Sequence, residues 1–146
     1  MRIAKGDLWT YPADWRVITT NGFIKKTGEC VMGRGVAYQA KRRYPKLPFA
    51  LGQFLVQHGN HVGEFIFKDE HTADEIKLLT MPTKHVWWEK SDLVLIERSA
   101  IEMVSLPYSE IFVMPQPGCG CGGLEWNEVK LVIEKILDDR FIVLEQ

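Results

Sequence analysis

Closely spaced glycines join an apolar run to a helical pattern in the segment Pro117-Gly118-Cys119-Gly120-Cys121-Gly122-Gly123-Leu124. Glycine tolerates positive φ and lets the main chain approach an anion, so several N–H groups of this loop can surround a phosphate. A tight strand-to-helix turn that binds nothing is the alternative interpretation.

Short apolar runs and helical stripes alternate along the rest of the chain. The predicted strands are Met1–Lys5, Val17–Thr20, Glu64–Phe67, Ile76–Met81, Glu110–Met114 and Phe141–Leu144. A helix is predicted over Pro48–His58, and three more helical faces are marked by Val36/Ala37/Ala40/Tyr44, Leu93/Ile96/Ala100/Met103/Val104 and Val129/Val132/Ile133/Ile136/Leu137. This alternation predicts a three-layer α/β/α sandwich around a central mixed, mostly parallel sheet.

The chain has 146 residues, with 18 basic and 19 acidic side chains and a formal net charge of −1. We therefore expect one domain over residues 1–146, and we exclude a protein that grips nucleic acid or anionic lipid by bulk charge. No apolar stretch approaches the ~20 residues that span a bilayer, and Met1–Lys5 is too short and too charged for a signal peptide. These features predict a cytoplasmic protein without a membrane partner.

The cysteines are odd in number, and two of them lie one residue apart among glycines: Cys30, Cys119 and Cys121. This arrangement suits neither a disulfide framework nor a four-ligand zinc site, so we expect free thiols, no metal and no cofactor.

A second glycine turn, Met32-Gly33-Arg34-Gly35, precedes the first helical face. Two such loops that face each other at the strand ends would clasp a diphosphate, which predicts a nucleotide diphosphate as ligand. Glycine that serves only the geometry of a helix-starting loop is the alternative.

Polar side chains follow three of the predicted strands. Asp7 can accept a hydrogen bond from an amine such as the adenine amino group, and Asn21 can orient sugar hydroxyls, but both residue types also form turns. Lys84 is a candidate nucleophile or electrostatic stabiliser and His85 a candidate acid or base, although most lysines are solvated surface charges. We expect Trp87 and Trp88 to lie partly in the core and partly over the site.

Together these segments resemble a macro domain. The resemblance rests on Gly6-Asp7-Leu8, on Asn21, on Val31–Ala37 with its Met-Gly-x-Gly sequence, and on Gly118–Trp126, and it spans nearly the whole chain. Macro domains bind ADP-ribose, so the resemblance implies that Asp7 holds the adenine amino group and Asn21 the distal ribose. It further implies that the Val31–Val36 loop holds the diphosphate and the distal ribose, and that the Gly118–Leu124 loop holds the diphosphate. The binding residues it implies are Asp7, Leu8, Asn21, Val31, Met32, Gly33, Gly35, Val36, Pro117, Gly118, Cys119, Gly120, Cys121, Gly122, Gly123 and Leu124.

The segment Pro82–Trp88 is similar to the Pro-Thr-Lys-x-x-Trp of antitoxins that remove ADP-ribose from thymidine in DNA. A related glycohydrolase of animals also places a lysine after this strand. The resemblance implies that Lys84 and Asn21 are catalytic, with the Lys84 amine acting at C1″ of the distal ribose by attack or by electrostatic assistance.

Two features depart from the family pattern. The segment Gly22–Cys30 is longer than the usual connection, which changes the wall beside the distal ribose. The animal glycohydrolase carries an aspartate where this chain has Gly122, which disfavours a mechanism that needs that carboxylate and favours the antitoxin-like variant.

The expected function is therefore a monomeric hydrolase that removes ADP-ribose from a modified macromolecule, DNA ahead of protein. A basic rim of Lys25, Lys26 and Arg34 gives weak support to DNA. The alternatives are an ADP-ribose 1″-phosphate phosphatase and a non-catalytic module that binds ADP-ribose or a related NAD-derived signal.

Overall fold

The computed structural model describes residues 1–69 and 72–145. The elements in chain order are β1 (Arg2–Lys5), β2 (Trp15–Asn21), α1 (Gly35–Arg43), α2 (Leu47–His58), β3 (Gly63–Lys68), β4 (Glu75–Lys84), α3 (Leu93–Val104), β5 (Phe112–Met114), α4 (Trp126–Ile133) and β6 (Phe141–Glu145). A short 3₁₀ turn, Gly120–Gly122, lies between β5 and α4. Within the described ranges, no helix has the length and apolar character needed to cross a membrane.

The strands form one sheet in the order β1-β6-β5-β2-β4-β3. Every neighbouring pair is parallel except β3 with β4. Apolar residues of α3 and α4 pack in one core cluster and those of α1 and α2 in another. The three layers and the mixed, mostly parallel sheet confirm the predicted fold class.

The central strands are buried on both faces because their side chains alternate between the two clusters. Val17 of β2 packs with α3 and α4, whereas Ile18 packs with α1 and α2. Phe112 and Val113 of β5 divide in the same way. This explains why the inner strands read as continuous apolar runs rather than as alternating ones.

Several predicted boundaries are wrong: β2 begins at Trp15 rather than at Val17, and β4 ends at Lys84 rather than at Met81. Two further boundaries differ in the second half of the chain. The last helix was predicted to reach Leu137, but α4 ends at Ile133. The chain continues in turns, in which the Leu137 N–H donates to the Ile133 carbonyl (2.9 Å). The fifth strand was predicted to begin at Glu110, but β5 begins at Phe112. The Ile111 N–H donates to the Asp14 carboxylate (2.8 Å) and not to a neighbouring strand.

The parallel direction of β2, β4 and β5 brings their carboxyl ends to one edge of the sheet. Asn21 and Lys84 are the last residues of β2 and β4, and Pro115 follows β5 directly. A ligand site is therefore expected at this edge.

Candidate functional site

A cleft of about 900 Å³ opens at this edge of the sheet. Its floor is formed by the ends of β2 and β4, and its walls by the start of α1 and the loop after β5. The volume is typical of a site for a small organic ligand.

The start of α1 forms a positively polarised wall of the cleft. Gly35, Val36 and Ala37 line it, and the N-cap residue Arg34 makes no side-chain capping hydrogen bond. The first turn of α1 contains no acidic residue. The first N–H groups of a helix lack intrahelical partners and carry partial positive charge, so this wall suits an anion.

The helix after the second glycine loop, α4, does not supply this charge. That helix begins at Trp126, carries Glu128 in its first turn and contributes no residue to the cleft. The helix dipole at the site therefore belongs to α1.

The loop at 118–122 forms the facing wall. Gly120 has φ of 64° and open space where a side chain would begin, so the main chain at this position faces the cleft without obstruction. A Cβ on Gly35 would lie 4.0 Å from Cys121 Sγ, which shows that the two glycine loops stand opposite each other.

The Asn21 side chain fixes the wall beside the end of β2. Its Nδ2 donates to the Val31 carbonyl (2.9 Å), and its Oδ1 accepts the Phe23 N–H (2.9 Å). The amide is 9% exposed and lines the cleft. It therefore ties the strand end to both ends of the long 22–31 segment while it faces the ligand space.

The Lys84 side chain crosses toward the second glycine loop. Its Nζ donates to the Cys121 carbonyl at 3.3 Å, and the Lys84 carbonyl accepts a hydrogen bond from Asn60 Nδ2 at 3.0 Å. The ladder pairs Lys84 with Asn21. An amine and a carboxamide thus face one cleft from neighbouring strands.

Comparison with known proteins fits this geometry. A DNA ADP-ribosyl glycohydrolase of Thermus aquaticus is 30% identical over 143 residues, which is 94% of this chain and 38% of that protein. The solved macrodomain of Thermus aquaticus DarG is 27% identical with a TM-score of 0.75, over 99% of this chain and 97% of the other. The chain belongs to the macro domain family.

A third structure, Thermosipho africanus DarTG in complex with ADP-ribose, shares the fold of this macro domain. The TM-score is 0.75 at 22% identity, over 98% of this chain and 41% of the other. No protein-family model matches the chain. The macro domain spans 30% to 38% of the length of the curated relatives that it matches.

Some residues that the resemblance implied lie behind the cleft of this macro domain rather than in its wall. Leu8 and Met32 are core residues, and Leu124 packs against the core with its Cδ1 3.0 Å from the Cβ position of Gly118. Pro117 is buried and Gly123 borders a neighbouring cavity. The remaining loop residues implied line the cleft: Val31, Gly33, Gly35, Val36, Gly118, Cys119, Gly120, Cys121 and Gly122.

Asp7 forms a turn in the structure. Its Oδ1 accepts the Trp9 N–H at 2.7 Å, and its carbonyl accepts the Tyr11 N–H at 2.9 Å. Trp9 Nε1 donates to Gln39 Oε1 (2.8 Å), and Gln39 lines the cleft. Asp7 itself does not line the cleft, and its turn is joined to the cleft only through the Trp9–Gln39 hydrogen bond.

Several cleft residues have no counterpart among the predicted ones. Pro115 and Gln116 line the cleft directly after β5. Their position could have been predicted, because ligands in such folds bind at the carboxyl ends of the strands. Ser91, which directly precedes the N-cap residue of α3, lines it too. Asp92 alone is the N-cap of α3, accepting the Val94 N–H, which leaves Ser91 to face the cleft.

The segment after Lys84 differs from expectation. Trp87 and Trp88 are 51% and 60% exposed, so the prediction that they are partly core is wrong. His85 lies outside the cleft, where its Nε2 contacts Asp92 Oδ2 at 2.8 Å. Hydrogen bonds from His85 and from the Val94 N–H hold the pKa of Asp92 below its ordinary value.

The cysteines are free thiols, with Cys30 buried and Cys121 exposed. Burial raises the pKa of Cys30 to about 12. Across residues 1–69 and 72–145, His, Cys, Asp and Glu side chains form no group that could hold a metal ion.

Proposed function

We propose that this macro domain binds the ADP-ribose unit of ADP-ribosylated DNA in the cleft and hydrolyses its bond to the base. The observation that carries the proposal is Lys84, whose amine reaches into the cleft opposite Asn21 and against the Cys121 carbonyl. The name of the Thermus aquaticus relative and the ADP-ribose complex of the Thermosipho africanus protein support it.

The diphosphate lies between the start of α1 and the loop at 118–122. The uncapped N-terminus of α1 supplies N–H groups and partial positive charge. In the facing loop, the N–H groups of Gly122 and Gly123 donate within the loop, which leaves those of Gly120 and Cys121 for the anion. Arg34, at the cleft wall, adds a full positive charge.

With the diphosphate in this position, the residues on either side of it determine where the distal ribose and the adenine bind. The distal ribose lies beside Asn21, whose amide is held by Val31 and Phe23 and retains hydrogen-bonding capacity on both Nδ2 and Oδ1. The adenine lies toward the turn of Asp7, which Trp9 joins to Gln39 at the cleft. The second carboxylate oxygen of Asp7 accepts the adenine amino group.

The reaction is a hydrolysis at C1″. The bond between C1″ and the base breaks, the hydroxyl of water ends on C1″ and its proton on the base. Lys84 acts at C1″ either as a nucleophile that forms a transient imine with the opened ribose or as a positive charge that stabilises the leaving group. The remote diphosphate contacts supply binding energy that positions C1″.

The test compares wild type, Lys84→Ala and the control Lys135→Ala on single-stranded DNA that carries ADP-ribosylated thymidine. We expect Lys84→Ala to lower ADP-ribose release by ~100-fold or more and to leave the Kd for free ADP-ribose within ~3-fold, because the amine acts on the reacting bond. Lys135, which is exposed and lines neither this cleft nor the cavity beside it, serves as a matched loss of charge. Equal release by all three proteins would contradict the catalytic role.

Borohydride separates the two roles of Lys84. A nucleophilic lysine leaves an imine that borohydride reduces to a stable adduct on Lys84, visible by mass spectrometry, whereas an electrostatic lysine leaves none. Binding of ADP-ribose without release from any conjugate would reduce the proposal to an ADP-ribose-binding module. Release of phosphate from ADP-ribose 1″-phosphate, without release of ADP-ribose from DNA, would favour a phosphatase instead of the proposed hydrolase.

The proposal also places the chain in the cytoplasm as a monomer, where its free thiols stay reduced. Light scattering on the purified protein tests the oligomeric state.

A further inference from the structure

A second cavity, of about 350 Å³, lies directly beside the first. The two share part of their lining, including Lys84, Trp87 and Arg34. Trp88 and Lys90 line only the second. Lys84 therefore stands where the cavities meet, with the candidate ADP-ribose cleft on one side and the second cavity on the other.

The second cavity has an exposed aromatic wall. The rings of Trp87 and Trp88 meet edge to face, with centroids 5.4 Å apart and an interplanar angle of 84°. Phe23 contacts Trp88 in the same manner at 5.4 Å. The rings hold one another in place while more than half of each tryptophan stays exposed, an unusual state for this side chain.

The charge of this cavity is predominantly positive. Arg34, Lys84 and Lys90 line it against a single carboxylate, Glu89. The aliphatic part of Lys90 lies over Gly123, with Cγ 3.3 Å and Cε 3.4 Å from the Cβ position of that glycine. The Lys90 stem is thus packed against the glycine loop at the border of the cavity.

We propose that this second cavity binds the nucleotides that flank the modified base in single-stranded DNA, with a base stacked on Trp88 and a phosphate on Lys90. This inference rests on the proposed function. With ADP-ribose in the first cleft and C1″ near Lys84, the group that leaves C1″ points into the second cavity. Exposed indole rings beside basic side chains match unpaired bases joined by phosphates, since every base offers a face for stacking.

The test uses two substrates, ADP-ribosylated thymidine in a short single-stranded oligonucleotide and ADP-ribosylated thymidine as a free nucleoside. Trp88→Ala is expected to lower the ratio of kcat/KM for the oligonucleotide to that for the nucleoside by ~10-fold, because one stacked base is lost. Trp88→Phe keeps an aromatic face and is expected to retain most of the ratio. The control Phe49→Ala removes an aromatic that is 50% exposed and lines neither cavity.

Salt dependence tests the phosphate contact. Lys90→Ala is expected to weaken oligonucleotide binding and to reduce the slope of log K against log salt by about 0.7, the value for one phosphate contact on a single strand. Lys135→Ala is the matched control and keeps the wild-type slope. An unchanged slope in Lys90→Ala would overturn the phosphate contact.

Binding of unmodified oligothymidylate, measured by fluorescence anisotropy, separates this inference from the proposed function. If the wild type releases no ADP-ribose but binds oligothymidylate in a Trp88-dependent manner, the proposed hydrolase fails and the nucleotide site stands. If the wild type releases ADP-ribose from DNA and Trp88→Ala changes neither the ratio nor the binding, the nucleotide site is overturned. A Trp88-dependent preference for an ADP-ribosylated protein over the oligonucleotide would also overturn it, in favour of a protein acceptor.

Discussion

Asn21 and Lys84 stand opposite each other at the ends of β2 and β4 because the ladder slips by one residue just before them. Thr20 pairs with Pro82, but Asn21 pairs with Lys84, so Thr83 is an extra residue in β4. Thr83 is buried and its hydroxyl contacts the Thr20 carbonyl at 3.4 Å. Such irregularities re-aim side chains near functional sites, and here the slip accompanies the placement of Lys84 in the cleft wall.

Asn60 holds the backbone of Lys84 and is expected to act as a positioning residue. Its Nδ2 donates to the Lys84 carbonyl, and its side chain packs where a Cβ on Gly22 would lie, at 2.7 Å. Asn60→Ala should lower kcat for ADP-ribose release by ~10-fold, since small misplacements of a catalytic group are costly, with the Kd for ADP-ribose within ~3-fold. Asn127→Ala, on the exposed face of α4, is the control. An equal loss of kcat and of ADP-ribose affinity in Asn60→Ala would contradict a positioning role.

A side chain at position 122 would crowd Ser91. A Cβ on Gly122 would lie 2.3 Å from Ser91 Oγ, which has no hydrogen-bond partner within the described structure. Gly122→Ala should therefore lower the free energy of unfolding by about 1–3 kcal/mol, measured by urea denaturation. Ser91→Ala alone should be near neutral or stabilising, because it removes an unsatisfied buried hydroxyl.

A double variant tests whether the contact with Ser91 Oγ causes the loss of stability in Gly122→Ala. Ser91→Ala with Gly122→Ala should be more stable than the sum of the single effects by ~1 kcal/mol, since the crowding atom is gone. Additive effects would contradict the contact. The same crowding shows why an aspartate at position 122 would need local rearrangement.

Cys121 reports on the position of the ligand. It is exposed on the cleft wall, whereas Cys30 is 1% exposed and its pKa is raised to about 12 by burial. Iodoacetamide near pH 8 should therefore modify Cys121 in the native protein and leave Cys30 intact, because only thiolate reacts. Saturating ADP-ribose should slow Cys121 modification ~10-fold or more by occupying the cleft. Peptide mass spectrometry measures both rates, and no protection by ADP-ribose would place the ligand elsewhere.

Asp92 makes the stability of the chain depend on pH. Its pKa in the folded protein lies below the ordinary 3.8, because His85 and the Val94 N–H donate to it. The unfolded state therefore binds more protons as pH falls, so the stabilisation is complete above the ordinary value and is lost as pH falls through the lowered folded value.

Asp92→Asn separates this titration from the cap. Asparagine is an N-cap as good as aspartate, but it does not titrate. The free energy of unfolding of wild type minus that of Asp92→Asn should be positive near neutral pH and should shrink below about pH 4, as urea denaturation across pH would show. A difference that grows toward low pH would contradict the assignment.

The fold class and the two glycine loops could be predicted from the sequence alone. Continuous apolar runs mark the inner strands because these are buried on both faces of the sheet, and helical apolar stripes mark the helices because one face of each is buried. Closely spaced glycines mark the loops at 31–36 and 118–124 because several of them adopt positive φ. Asn21 and Lys84 were predicted as site residues for a similar local reason, since each follows an apolar run that reads as a strand of a mostly parallel sheet.

The neighbours that complete the site, in contrast, follow from the packing of distant segments. Asn60 reaches the Lys84 backbone from the loop after α2, Gln116 lines the cleft from the loop after β5, and the helix dipole comes from α1. The sequence spacing of these residues does not encode such proximity. It arises from how β2, β4 and β5 pair and from how α1 and the loop after β5 pack across their ends.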